Sequence, residues 1–236
     1  MKIEWNEDDN GTMTYTTPDW MLSVKVARCR DKHNVSVVSD YAGAKTKQFC
    51  VNMENALTHA EKLITKHMAQ CWETPPDFWR VIKDIWNPQV DVCATENNKK
   101  CGRYIGYNSP TDNGLAVPWR HYGPGVCWCN PPFKNIPIWL QKAHEETKNY
   151  VCSLVLSHEV SSAVWFGKNK ELASSIWTLA PRINFVEPCG VKQMGNMRGA
   201  NLFIFDPNVT RPPGVPVPIY HFDWKAYLAQ MDAELC

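Results

Sequence analysis

The stretch that decides the fold is residues 126–133, VCWCNPPF. Its first four residues form a short apolar run, which is typical of a strand buried inside a sheet. The next four, Asn130-Pro131-Pro132-Phe133, form a rigid corner, because each proline fixes its own backbone φ angle. In doubly wound α/β sheets, ligands bind at the carboxyl ends of the strands. We therefore expect a functional site at this corner.

The sequence around the corner alternates strand and helix patterns, which predicts an α/β fold with a layered sheet. Predicted strands cover residues 89–94, 126–129, 150–156, 175–179 and 200–205. Predicted helices cover residues 77–86, 136–148, 162–173 and 223–235. Between them we expect loops at residues 95–100, 102–114 and 182–197, and a proline-rich crossing at residues 207–218.

Residues 1–70 are predicted to form a small sheet-plus-helix module, ahead of a main domain at residues 71–236. Alternating runs indicate strands at residues 13–15, 22–29, 34–39 and 47–51. An amphipathic helix follows, with Asn52 as its N-cap. A basic surface on this sheet is suited to a DNA groove, and its candidate residues are Lys25, Arg28, Arg30, Lys32, Lys45 and Lys47. A solvated sheet face that packs on the main domain is the alternative, and the sequence leaves both open.

Composition excludes several classes of protein. The 236 residues are 44% hydrophobic and 21% charged, unlike a disordered or collagen-like chain. No apolar run reaches the roughly 18 residues of a membrane span, and the polar start is unlike a signal peptide. We therefore expect a cytoplasmic protein without a membrane partner. Because the formal charge is only +1, any nucleic-acid-binding surface must be local.

The ten cysteines are interpreted as mostly reduced thiols, because the chain is long and shows no secretory signal. The competing interpretation is a structural zinc ion, with candidate ligands Cys93, Cys101, His121, Cys127 and Cys129. These cysteines lack the CxxC spacing of zinc knuckles and ribbons, and two of them lie in a predicted buried strand. We expect no metal site.

The corner suits chemistry on a planar amine. The lone pair of a base amine is delocalised into its ring, so the amine is a poor nucleophile. The Asn130 side-chain oxygen and the Pro131 carbonyl can both accept hydrogen bonds from such an amine and stabilise positive charge that develops on its nitrogen. Pro132 adds rigidity, and Phe133 offers a stacking face for a base, worth about 1–3 kcal/mol. A rigid turn without function is the alternative.

The sequence from about residue 74 to residue 207 resembles the phage-type DNA adenine-N6 methyltransferase (Dam) family. The matching pieces are, in order, ETPPDFW, VDVCATENNKKC, SPTDNGL, VCWCNPPF with WLQKA, PRINF and NLFIF. The resemblance implies a Rossmann-like methyltransferase sheet and transfer of a methyl group from S-adenosylmethionine to the exocyclic amine of adenine in double-stranded DNA. Because that amine is buried in the duplex, the base must be flipped into the site.

The resemblance also implies roles for individual residues on the cofactor side. Thr74 and Pro75 correspond to the segment beside the methionine end of the cofactor, and Asp91, Cys93 and Ala94 to the acidic cofactor loop. A carboxylate at Asp91 can accept a charge-assisted hydrogen bond from the cofactor's α-amino group; a turn-capping role is the alternative. Asn113 stands where the family usually has the acid that contacts the cofactor adenine, and the acid here is Asp112, one place earlier.

This sequence departs from the family in two further places. There is no Gly-x-Gly after Asp91, and Ser157-His158-Glu159 replaces the Pro-Ala-Arg expected after the strand that ends near residue 156. Candidates for lining the base pocket are Trp128, Trp165, Phe166 and Arg182, although burial in the core is the alternative for the tryptophans. Candidates for phosphate contacts are Lys168, Lys192 and Arg198.

Other functions remain open at this stage. The same corner serves cytosine-N4, RNA and glutamine methylation, and a non-catalytic DNA-binding relative is the alternative from another class. A cytosine-C5 enzyme is disfavoured, because Pro188-Cys189 lacks the motif that surrounds a nucleophilic cysteine. The family suggests a purpose in shielding phage DNA from restriction. The oligomeric state is not indicated.

Overall fold

The computed structural model describes residues 4–16, 22–28, 35–41, 44–50, 52–68, 73–96, 98–106, 113–133, 136–159, 161–186 and 198–234. The chain divides into two compact units, Met1–Trp72 with Glu187–Cys189, and Glu73–Val186 with Gly190–Cys236. Six residues named above lie outside the described residues: Arg30, Lys32, Asp112, Pro188, Cys189 and Lys192.

The described part of the first unit is an antiparallel sheet followed by one helix. Its strands, in their order in the sheet, are β1 (Asn6–Glu7), β2 (Met13–Thr16), β3 (Leu22–Arg28), β4 (Val35–Tyr41) and β5 (Ala44–Cys50). Helix α1 spans Met53–Met68, and the backbone N–H of Asn55 donates to Oδ1 of Asn52 at 2.8 Å, which confirms Asn52 as the N-cap. The unit has a core of its own, which pairs Leu22, Val24 and Val26 with Ala56, Ala60 and Ile64.

Two of the predicted basic residues share the sheet face opposite α1. Lys25 pairs with Val38, which pairs in turn with Lys47, so the three lie in one line across neighbouring strands. Both lysines are exposed, whereas Val24 and Val26 on either side of Lys25 are fully buried. Alternate residues of a strand point to opposite faces, so α1 covers the apolar face and leaves the lysine face open.

The described part of the second unit contains a seven-stranded sheet. Its strands are β6 (Val90–Asp91), β7 (Arg103–Tyr104), β8 (Val126–Cys129), β9 (Cys152–His158), β10 (Ser175–Ala180), β11 (Ala200–Phe205) and β12 (Ile219–Asp223). Their order across the sheet is β12-β10-β11-β9-β8-β6-β7. All run in one direction except β11, which is antiparallel to both β9 and β10. The predicted α/β class is confirmed, with a mixed, mostly parallel sheet.

Helices cover both faces of this sheet: α2 (Pro76–Trp86), α3 (Ile136–Thr147), α4 (Val164–Asn169) and α5 (Trp224–Glu234). Strand β8 shows how the faces are divided. Cys127 and Cys129 belong to the core that contains the buried side of α3, whereas Trp128 between them packs edge-on against Trp79 of α2 at 5.5 Å. Helices α2 and α5 contact each other, as do α3 and α4, so each face carries one helix pair.

Several elements differ from the sequence-based expectation. Strand β6 has two residues instead of six, because the chain turns after Asp91. Strand β7 lies inside the predicted loop at residues 102–114, where it pairs with β6. Helix α4 ends at Asn169 and passes into a 3-10 turn, Lys170–Leu172. Strand β12 was not predicted; it pairs with β10 between the proline-rich crossing and α5. No helix in the described ranges is long and apolar enough to cross a membrane.

Candidate active site

The predicted site residues gather along one edge of the seven-stranded sheet. Because β6, β8, β9 and β10 run in one direction and β11 in the other, four carboxyl ends and the amino end of β11 share that edge. The residues at or near it include Asp91, Asn130, His158, Arg182 and Arg198. The amino end of α2, with Thr74 and Pro75, reaches the same region through an antiparallel bridge between Glu73 and Val186.

The NPPF corner directly follows β8, as predicted. Strand β8 lies between β6 and β9, so the corner projects from the interior of the sheet and not from its margin. Pro131 is buried, while Asn130, Pro132 and Phe133 are half-buried. The Phe133 ring meets His158 at 5.0 Å and Phe185 at 5.5 Å between ring centroids, both edge-on. Two rings from different segments therefore fix the orientation of the expected stacking face.

Asp91 closes the turn that ends β6. Its Oδ1 accepts the backbone N–H of Cys93 at 3.3 Å, and its Oδ2 accepts that of Lys100 at 3.0 Å. The turn-capping alternative for Asp91 is therefore present in the structure. Only 3% of the residue is exposed, and this burial raises the pKa of the carboxyl to about 6 against the two hydrogen bonds and Lys100, which lower it. A carboxylate has about four acceptor positions, so two backbone donors leave capacity for a cationic ligand.

The segment ahead of α2 carries an unpaired hydroxyl. Thr74 is 1% exposed, and among the described residues its Oγ1 has no hydrogen-bond partner. An unsatisfied buried polar group costs about 1–3 kcal/mol. Glu73, next to it, anchors the segment on both sides: its backbone pairs with Val186, and its Oε2 lies 3.3 Å from Nζ of Lys100. Lys100 in turn binds Asp91 through its backbone, which links Thr74 to the Asp91 turn.

Asn113 and Gly114 are held against the same turn. Oδ1 of Asn113 accepts the N–H of Leu115 at 2.9 Å, which is a local turn of the kind that Asn favours. A Cβ at Gly114 would overlap the carbonyl oxygen of Val92, the residue after Asp91, so only glycine fits there. The loop thus places Asn113 near the Asp91 turn, although three other residues of the predicted cofactor set, Cys93, Ala94 and Pro75, are buried in the packing around it.

The cysteines near the site are structural. Cys93, two residues after β6, and Cys129, the last residue of β8, contact each other through their thiols. Burial raises the pKa of Cys93, Cys127 and Cys129, and raises that of Cys101 to about 12. A cysteine nucleophile needs the opposite shift. In the ranges that the structure describes, no group of three or more His, Cys, Asp or Glu side chains is arranged to hold a metal ion.

The aromatic candidates separate into core and site. Trp128 is fully buried against α2, and Phe166 is 6% exposed and packs on Phe203, so neither lines an open pocket. Trp165 is half-buried and meets the His158 ring at 6.2 Å. The sequence did not identify His158 as a candidate site residue, yet its ring contacts both Phe133 and Trp165. Its one signal in the sequence is the departure from the family pattern at residues 157–159, at the end of β9.

The positively charged candidates lie on the exposed side of the same edge. Arg182 follows β10, Arg198 precedes β11 and Lys168 lies on α4, and all three are exposed. Arg198 also acts on the site itself, because its charge contributes to lowering the pKa of His158.

Comparison with known proteins agrees with this arrangement. The sequence model of the family described as "DNA N-6-adenine-methyltransferase (Dam)" matches residues 61–217, about two thirds of the 236 residues. The chain is also 26% identical over 141 residues to a DNA N-6-adenine-methyltransferase of Haemophilus phage HP1, across 58% of this chain and 78% of the relative. The matched range spans the positions of the Asp91 turn, the NPPF corner and His158. The chain therefore belongs to the DNA N-6-adenine-methyltransferase (Dam) family.

Proposed function

We propose that the protein transfers a methyl group from S-adenosylmethionine to the N6 amine of adenine in double-stranded DNA, on a Rossmann-like methyltransferase sheet. The observation that carries the proposal is the NPPF corner at the carboxyl end of β8, between the Asp91 turn on β6 and His158 on β9. The corner offers hydrogen-bond acceptors for the amine of the base, and the acidic turn on the neighbouring strand offers an acceptor for the cofactor. The two ligands would therefore lie side by side. Family membership supports the choice of adenine and DNA.

The corner acts on the amine in this mechanism. Oδ1 of Asn130 and the carbonyl oxygen of Pro131 accept the two amine hydrogens, so the nitrogen is held in one orientation and its developing positive charge is stabilised. Phe133 stacks on the base, and its fixed ring limits the tilt of the base plane. The nitrogen would take the methyl group directly, the methyl–sulfur bond breaking as the methyl–nitrogen bond forms and one amine proton being released, so no covalent intermediate on the protein is needed. This agrees with the raised pKa values of the described site cysteines.

Residues on the other side of the corner fit the cofactor. S-adenosylmethionine, when bound, supplies the methyl group on its sulfonium sulfur together with one α-amino and one carboxylate group. Asp91 would hold the α-amino group. The Thr74 hydroxyl would form a hydrogen bond with the methionine end of the cofactor, and Asn113 would contact the cofactor's adenine. The features that fit such a ligand are the buried Asp91 carboxylate and the Thr74 hydroxyl, which has no hydrogen-bond partner among the described residues.

DNA binding places the duplex against the exposed edge. Flipping the target base costs a few kcal/mol, which stacking on Phe133 and hydrogen bonds at the corner repay. Trp165 and Arg182 would contact the flipped base or its surroundings, and Lys168 and Arg198 would contact phosphates. The lysine face of the first unit, Lys25 with Lys47, is a second candidate surface for DNA. Protection of phage DNA from restriction, in the cytoplasm of the infected cell, is the physiological role that we propose.

The test is transfer of tritium from methyl-labelled S-adenosylmethionine to unmethylated DNA, RNA and protein. The proposal expects label in DNA alone, and digestion of that DNA to nucleosides should give N6-methyl-2′-deoxyadenosine. Label in N4-methylcytosine, in RNA or in protein would contradict the choice of substrate. Cofactor binding by calorimetry without transfer to any of the three would identify a non-catalytic relative.

A further inference from the structure

His158 lies between two aromatic rings of the site, Phe133 and Trp165. The mechanism proposed above gives it no role. It is the last residue of β9 and is half-buried. Its ring meets Phe133 of the corner at 5.0 Å, inclined by 67°, and Trp165 of α4 at 6.2 Å, inclined by 71°. The imidazole therefore fills the space between the stacking face and the first turn of α4.

The ring is built to stay neutral. Its Nδ1 is buried and, among the described residues, has no hydrogen-bond partner. An imidazolium carries a proton on both nitrogens, so protonation would place an N–H, with positive charge, at a buried position without an acceptor. In the neutral ring Nδ1 carries only a lone pair, and burying that lone pair costs less free energy than burying a charged N–H. Burial, and then Arg198, lower the pKa of His158 below its usual 6.5.

The charged groups on the surrounding segments do not offset this. Arg198 precedes β11, Arg182 follows β10 and Lys168 lies on α4, and all three are cationic. Glu159 is next in the chain, but its side chain extends over Gly199. The two rings that meet the imidazole, Phe133 and Trp165, are uncharged.

We propose that His158 is a positioning residue for methyl transfer: its neutral ring wedges Phe133 into the plane on which the flipped adenine stacks. The inference rests on the proposed function and deepens it. Phe185 supports Phe133 at 5.5 Å from a second direction, so the plane is set by two rings, of which only His158 titrates. Protonation of His158 forces its Nδ1 towards solvent, which moves the ring away from Phe133 and loosens the stack.

The test compares kcat across pH 5 to 8, at saturating cofactor and DNA, for the wild type and His158→Phe, His158→Ala and His221→Phe. His221 is an exposed histidine on β12 and is the matched control. We expect wild type and His221→Phe to lose activity at acid pH with a midpoint below 6.5. We expect His158→Phe, which keeps a wedge, to stay within about threefold of wild type at pH 7.5 and to lack this acid limb.

His158→Ala removes the wedge, so we expect its kcat to fall at least tenfold while KM for the cofactor stays within threefold. An unchanged acid limb in His158→Phe, or a wild-type kcat in His158→Ala, would overturn the inference. If His158→Ala does not fold, His158→Phe alone decides. Failure of the proposed function is seen separately, as a wild type that puts no methyl group on adenine in DNA.

Discussion

Replacement of Gly114 by alanine probes the packing that holds the cofactor side of the site together. The added Cβ would overlap the Val92 carbonyl oxygen and lie 3.0 Å from the Trp139 ring. Because the first obstacle is backbone, it cannot turn aside as a flexible side chain would. The Gly114 loop must therefore move away from the turn that follows Asp91.

The cost follows from the contacts that this movement breaks. Overpacking in a dense core costs about 1–3 kcal/mol. The N–H of Gly114 donates to the Gly106 carbonyl at 2.7 Å, and its own carbonyl accepts the indole N–H of buried Trp119 at 2.6 Å. Each of these hydrogen bonds contributes about 1 kcal/mol. We expect the free energy of unfolding to fall by about 2–5 kcal/mol, a large share of the 5–15 kcal/mol typical of a domain.

Urea unfolding and cofactor calorimetry measure the two consequences of Gly114→Ala. The urea midpoint should fall by about 1–2 M, given a slope of about 2.5 kcal/mol per molar. Cofactor affinity should fall more than tenfold, because Val92 adjoins Asp91. The matched control is Gly167→Ala on α4, where an added Cβ meets nothing within 4 Å. Alanine favours a helix by about 1 kcal/mol over glycine, so this control should not be less stable than wild type. Equal midpoints for Gly114→Ala and wild type would refute the packing argument.

Four further predictions concern Thr74, Asp91 and the lysine face. Thr74→Val should leave stability equal or raised by about 1 kcal/mol, because it removes an unpaired buried hydroxyl, while calorimetry should show cofactor affinity reduced about tenfold; an unchanged affinity would remove Thr74 from the site. Cofactor affinity should be highest near pH 7 and fall below about 6, where Asp91 takes up a proton; an unchanged affinity from pH 5 to 7 would contradict its role. The same raised pKa means that the cofactor-free fold retains this proton more tightly than the unfolded chain does, so its stability should fall as pH rises from about 4 to 6, measured by urea unfolding. The double change of Lys25 and Lys47 to Glu should weaken DNA binding and flatten its dependence on salt, in contrast to Lys62→Glu on α1; equal binding by both variants would make the lysine face a solvated surface.

Local signals in the sequence predicted the elements that depend on local physics. The apolar run of β8 and the two prolines after it are short-range features, and the strand and corner lie where they were expected. The amphipathic stripe and the Asn52 cap likewise predicted α1 within one residue at its start. These patterns describe how a segment buries one face, which neighbouring residues already determine.

Long-range contacts determined what the sequence did not predict. Strand β6 stops early because the Asp91 carboxylate binds the N–H of Lys100, nine residues away. Strand β12 is exposed at the sheet margin, and a proline-rich crossing precedes it, so its sequence lacks the alternation of a half-buried strand. His158 gains its importance from rings that lie 25 and 7 residues away in the chain. These contacts join residues that are far apart in the chain, so a short stretch of sequence does not reveal them.

Asn130→Ala tests whether the NPPF corner holds the amine, with Asn208→Ala in an exposed loop as the matched control. Single-turnover transfer of labelled methyl groups to DNA, with nucleoside analysis of the product, gives the rate, and calorimetry gives cofactor affinity. We expect the rate for Asn130→Ala to fall by at least a thousandfold, about 4 kcal/mol of transition-state stabilisation, with cofactor affinity within a few-fold of wild type. A rate within tenfold of wild type would show that the corner does not hold the amine.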